Sequence, residues 1–172
     1  MTDEPRSQEE LVEATLEISK AISLKLSQKK STLMVAESAT GGLIQHFLTE
    51  IPGSSAFFLG GVIAYSNALK EKLLQVRNTV LYQYGAVSEE TTASMAAGVR
   101  LLMNADYGLA TSGIAGPSGA RADKPVGLVY VAVSHLNFET IIKRYVFKGS
   151  RSSNKLFFSH AALQLLLEAV DH

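Results

Sequence analysis

No cysteine occurs among the 172 residues. That absence excludes a disulfide framework, a thiol nucleophile and thiolate metal ligands, and it fits a reducing cytosol. An excess of charge of one sign is missing too, because 16 Lys and Arg offset 16 Asp and Glu. A balanced chain lacks the general attraction for nucleic acid or an anionic membrane, although local anion sites stay open. Apolar runs are short and broken by glycine or charge, well under the roughly 20 residues that span a bilayer. The opening stretch MTDEPRSQEELVEATLEISK is acidic and polar where an export signal would be basic and then apolar, so a cytoplasmic protein is expected. The four histidines, His46, His135, His160 and His172, have no metal-ligand spacing, and no His-Asp-Ser series stands in a motif context. Neither a metal nor another cofactor is expected. The chemistry must come from oxygen and nitrogen groups.

The chain does have the means to build a core: 47% of its residues are hydrophobic and 19% charged, and the length suits a single domain over residues 1–172. Residues 7–29 carry Leu11, Ala14, Ile18, Ala21, Ile22 and Leu26 at spacings of three and four, which predicts an amphipathic helix capped by Ser7 or Asp3. The run 31–36 predicts a buried strand that stops at Glu37-Ser38. A helix over about 40–50 follows, with Leu43, Phe47 and Leu48 inward. Residues 57–65 (FFLGGVIAY) predict a second buried strand, whose glycines signal close backbone packing. Next comes a helix capped by Ser66 or Asn67 with Leu69, Leu73 and Val76 on one side, then a helical stretch over 80–84. A helix starting near Ser88 carries Met95, Val99, Leu102 and Met103 inward. Strands are predicted over 107–111, 126–134 and 140–147, the last two as an antiparallel hairpin, and a final helix over 152–170 carries Leu156, Leu163, Leu167 and Val170 on one face. The fold class that follows is α/β: a three-layer α/β/α sandwich around a mixed, mainly parallel sheet with a C-terminal hairpin.

In such folds ligands gather beyond the carboxyl ends of the parallel strands. Three polar segments are expected there: Glu37 to Gly42, Tyr65 to Lys70, and Ser112 to Gly119. Ser38 stands between a strand and the Thr40-Gly41-Gly42 helix start, so it is either a nucleophile beside an oxyanion-binding backbone or an ordinary helix cap. Glu37 reads equally as a site residue or as a helix-terminal charge. Lys70 falls in the first turn of its helix, where the positive helix end disfavours an ammonium ion, and a desolvated lysine there can serve as base to a serine. The alternative is an exposed lysine. Tyr65 is a proton donor or a half-buried packing residue. The loop from Ser112 to Gly119, with Gly113 and Gly116, has the amide density to wrap a phosphate but matches neither a P-loop nor a dinucleotide fingerprint. Arg121 and Lys124 beyond it either meet phosphate or are solvated. His160 shares a helical face with Leu156 and Leu163 and is read as a satisfied core histidine.

Taken in order, the segments AESATGG (36–42), PGSSA (52–56), GGVIAYSN (60–67), GAVSE (85–89) and SGIAGP (112–117) through KPVG (124–127) resemble the successive motifs of the CinA C-terminal domain family. The similarity runs from about residue 10 to residue 168. That family's characterised members are nicotinamide-nucleotide amidases, which hydrolyse the carboxamide of nicotinamide mononucleotide to nicotinic acid mononucleotide and ammonia, and the chain resembles the stand-alone form. The resemblance implies Ser38 as nucleophile, Lys70 as its base and Tyr65 as an aid to proton transfer or to holding the lysine. It further implies an oxyanion site at Thr40, Gly41 and Gly42, nucleotide contacts from the loop opened by Ser112, including Gly113 and Gly116, and a phosphate ligand in Arg151. Ala39 departs from the family's commonest form, which has cysteine after the serine, and so keeps open a divergent or silent paralogue that binds a nucleotide without deamidating it. The partners implied are a small nucleotide and further copies of the chain in a homo-oligomer, with no nucleic acid or membrane.

Overall fold

The computed structural model describes residues 7–171. Asp3, the alternative cap of the first helix, and His172 lie outside the described residues. The order is α1 (Gln8–Lys29), β1 (Leu33–Glu37), α2 (Leu43–Thr49), a short 3-10 turn (Ser54–Ala56), β2 (Phe58–Ile63), α3 (Asn67–Leu74), α4 (Asn78–Tyr84), α5 (Glu89–Leu102), β3 (Tyr107–Gly113), β4 (Leu128–His135), β5 (Ile141–Val146) and α6 (Arg151–Val170). Ser7 caps α1 in a reciprocal capping box with Glu10.

The five strands form one sheet in the order β2-β1-β3-β4-β5. β1 is parallel to both β2 and β3, while β4 runs antiparallel to β3 and to β5, which makes the sheet mixed and closes it with the expected hairpin. Strand alternation sorts the core by side. Leu33 and Val35 of β1, Leu109 of β3 and Val129, Val131 and Val133 of β4 face α1, α2 and α6. Met34, Ala36, Ala110 and Ala132 face α3, α4 and α5. The second face is lined largely by alanine, so α5 lies close against the sheet through Met95, Ala96 and Val99. Gly98 lets α3 approach α5 equally closely, because a Cβ there would run into the Leu74 carbonyl.

Three side-chain assignments differ from the sequence reading. β2 is an edge strand with Leu59 and Ile63 exposed rather than a buried strand, although its Gly61 does mark a close approach: a Cβ would collide with the Val35 carbonyl and Gln45. Leu102 and Met103 are exposed where α5 ends. Most consequentially, α3 is rotated from the predicted phase. Leu69 and Leu73 face outward, and Lys70 and Leu74 are the residues it buries. The cause is the neighbour: α3 packs on α5 through Leu74, and this contact outweighs the apolar count on the other face.

After β1 the chain goes outward to β2 and then crosses to the other side of β1 for β3. The carboxyl ends of β1 and β3 therefore flank a topological switch point, where the strand order reverses and a crevice opens. Ser38 follows β1, Ala64 and Tyr65 follow β2, and Ser112 and Gly113 end β3. All three predicted segments meet there.

Candidate active site

Ser38 leaves the end of β1 nearly buried, and the reason begins one residue earlier. Glu37 is wholly buried, and its carboxylate accepts the backbone N–H groups of Gly42 (2.9 Å), Ile44 (3.2 Å) and Gln45 (3.0 Å) at the start of α2. It is the cap of that helix, satisfying donors that no residue side chain at Gly42 could reach. The Glu37 carbonyl accepts from Ala64 N–H at 2.8 Å, which ties the turn after β2 to the turn after β1. Together these bonds fix the backbone on either side of Ser38.

Lys70 comes to the same point from the other layer. Its side chain is 1% exposed, and Nζ donates to the Ala64 carbonyl (2.7 Å) and to Ser38 Oγ (3.3 Å). The bond to serine is at the long end of the hydrogen-bond range. Among the described residues no carboxylate pairs with the ammonium, and burial lowers the Lys70 pKa from 10.5 to about 8. A neutral amine beside a serine hydroxyl is the arrangement that a lysine base requires.

A cavity of about 340 Å³ opens over this pair, lined also by Ala39, Tyr65, Ser112, Gly113, Gly116 and Arg151. Ser112 is buried and donates its hydroxyl to the Ala86 carbonyl at 2.7 Å. Arg151, the first residue of α6, donates to the Gly116 carbonyl (2.7 Å) and to Tyr65 Oη (3.2 Å). Two of its nitrogens thus hold the loop and the tyrosine at the rim.

Two expected groups stand differently from the simplest reading. Tyr65 lines the cavity, is 63% exposed and accepts a hydrogen bond from Arg151, while the lysine is held by the Ala64 carbonyl. Thr40, Gly41 and Gly42 are not part of the cavity lining. Thr40 turns inward to Thr111 at 3.0 Å, Gly41 N–H donates to the Ser38 carbonyl, and Gly42 N–H is taken by Glu37. The amides of Gly41 and Gly42 are thus engaged within the turn that builds the serine's backbone.

Sequence reasoning missed Asn154. It is wholly buried and its amide nitrogen donates to the carbonyls of Ala115 and Gly149, both at 3.0 Å, clamping the cavity loop to the start of α6. Nothing in the predicted helical face signalled it, because Asn154 lies on the opposite side of α6 from Leu156 and Leu163 and is buried by the cavity loop. Ala86, Val87 and Ser118 also line the cavity. Among the described residues no group of three or more potential metal ligands occurs, and no helix is long and apolar enough to cross a membrane.

Comparison with known proteins matches this frame. The family model of the CinA C-terminal domain matches residues 15–170. A CinA-like protein of Desulforapulum autotrophicum is 48% identical over 142 residues, 82% of this chain and 33% of its own length. A CinA-like protein of Leptospira borgpetersenii is 42% identical over 155 residues, 90% of this chain and 37% of its own. The chain thus spans about a third of the curated relatives it matches. Among solved structures, a competence/damage inducible protein from Agrobacterium tumefaciens superposes over the whole of both chains with a TM-score of 0.89 at 34% identity. A second, from Klebsiella pneumoniae, gives 0.88 at 33% identity over 92% of this chain and 98% of its own. By sequence, fold and the order of its motifs, the chain belongs to the CinA C-terminal domain family.

Proposed function

We propose that the chain hydrolyses the carboxamide of nicotinamide mononucleotide to nicotinic acid mononucleotide and ammonia by a serine-lysine mechanism. The observation that carries this reading is the buried Lys70 Nζ, 3.3 Å from Ser38 Oγ, with its pKa lowered to about 8. At pH 7 about one-tenth of such a lysine is neutral, against less than about a thousandth for an ordinary one.

In the proposed course Ser38 Oγ attacks the amide carbon and its proton passes to Lys70 Nζ. The tetrahedral adduct then collapses as the lysine returns the proton to the leaving nitrogen, releasing ammonia and leaving an ester on Ser38. Water, deprotonated by the same lysine, attacks the ester and frees the carboxylic acid while the serine regains its proton. In this reading Arg151, which lines the cavity, takes the phosphate, since a guanidinium matches phosphate geometry in a bidentate manner. Ala39 lines the cavity as a small apolar wall and takes no part in these transfers.

Ammonia release from nicotinamide mononucleotide by the purified protein tests the reading. Release that disappears in Ser38→Ala supports it. Nucleotide binding without any release would instead favour the silent binder.

A further inference from the structure

A second hollow adjoins the first. It has a volume of about 420 Å³, and Ala86, Val87, Ile114 and Gly119 line both, so the two are chambers of one groove. Each is near the lower size of a small-ligand site, and their sum lies well inside the usual range. Lys70 and Arg151 line the first chamber, and Arg121 and Lys124 line the second. Among the described residues no carboxylate lines either one, in a chain whose acidic and basic residues are equal in number. The groove therefore concentrates positive charge that the whole molecule does not have.

The placement of those two cations is specific. Arg121 and Lys124 exchange both backbone hydrogen bonds, N–H of each to the carbonyl of the other at 2.9 and 3.1 Å, which forms a tight turn carrying both on one end. Asp123 lies inside that turn but is not part of the lining. Lys124 Nζ donates to the Tyr84 carbonyl at 2.8 Å, which leaves two of its three donors for a ligand. Among the described residues Arg121 enters no ion pair. The other wall comes from α4 and supplies Tyr82, 92% exposed, and Tyr84. Cations that match phosphate beside aromatic rings that accept stacking are the combination by which proteins hold nucleotides.

We propose that this second chamber binds a nucleoside phosphate, its phosphate on Arg121 and Lys124 and its base on Tyr82. The unit is either the distal half of a pyridine dinucleotide or a separate mononucleotide. The identity of the occupant of the first chamber rests on the reading given above; the second chamber's chemistry does not.

Calorimetric titration of the whole chain with nicotinamide mononucleotide, NAD⁺ and adenosine monophosphate tests this, in the wild type and in Arg121→Ala and Tyr82→Ala. Both side chains are exposed, and unchanged melting temperatures confirm that the variants fold. The expected result is that each substitution weakens NAD⁺ or adenosine monophosphate at least fivefold more than it weakens nicotinamide mononucleotide. Adenosine monophosphate binding together with nicotinamide mononucleotide identifies a separate nucleotide. NAD⁺ competing with both identifies a dinucleotide. Absence of NAD⁺ and adenosine monophosphate binding at millimolar ligand, or binding indifferent to both substitutions, overturns the proposal. If Arg121-dependent binding persists while no ammonia is released from nicotinamide mononucleotide, the second chamber stands and the amidase reading falls.

Discussion

The two ends of the sheet make opposite use of their polar residues. At the carboxyl ends of β1 and β3, a small cavity holds a buried lysine in contact with a serine. At the other end lies a larger hollow, about 830 Å³, lined by Lys29, Tyr107, His135, Phe138 and Glu139 among others. The larger one has the more familiar acid-base groups, yet its histidine is spent on packing. The His135 ring lies 4.4 Å from Tyr107 and 4.5 Å from Phe138 between ring centres, and its Nδ1 accepts the Asn137 N–H. Burial lowers the His135 pKa, and burial with the nearby Asp106 raises that of Tyr107. Volume and titratable groups do not make a catalytic centre. A nucleophile within reach of a base whose charged form is disfavoured is what marks a candidate.

Substitutions at both ends sharpen this contrast. Lys70→Met and Ser38→Ala should each lower kcat for ammonia release by about a thousandfold or more, since the two act as one unit. His135→Ala should stay within about twofold; a comparable loss there would erase the distinction between the ends. Arg151→Ala comes next. Removing a charged hydrogen-bond donor to phosphate should raise KM about tenfold or more in initial-rate measurements, with a smaller change in kcat. Glu37→Gln should destabilise the fold by about 1–3 kcal/mol in denaturant unfolding, because an amide cannot accept three backbone N–H groups without turning a donor on one of them. The smallest effect is expected of Ala39→Cys, within about threefold in kcat/KM, as the residue only walls the cavity.

Stability gives the same lysine a second signature. Its folded pKa is depressed from 10.5 to about 8, so between those values the unfolded chain binds more protons and stability rises with pH. Below pH 8 the cost of burying the ammonium is present in full. Lys70→Met should therefore raise the melting temperature at neutral pH and flatten its rise above pH 8. Loss of activity with gain of stability would mark a functional group held at the expense of the fold.

The strands and helices were legible because apolar runs and caps such as Ser7, Ser66 and Ser88 announce themselves locally. The motif order carried the family and the meeting of three strand-end segments. What was not legible depended on neighbours distant in sequence. Thr15 and Ser19 share the buried stripe of Leu11, Ile22 and Leu26, which an apolar count passes over, and their hydroxyls are satisfied by the carbonyls of Leu11 and Thr15 one turn earlier. His160, read as a core histidine, is half-buried and bonds Thr15 at 2.9 Å. The phase of α3 was misread because its inward residue is a lysine, which no apolar count selects. Glu37 was ambiguous until the helix it caps was in place.

The pH dependence of kcat/KM for ammonia release from nicotinamide mononucleotide tests the serine-lysine pair most directly. The expected rate climbs with pH to a plateau, with a midpoint at about 8 set by Lys70, and is lost in Lys70→Met. A rate that is flat across pH 6–9 in the wild type, or that survives in Lys70→Met, would contradict it.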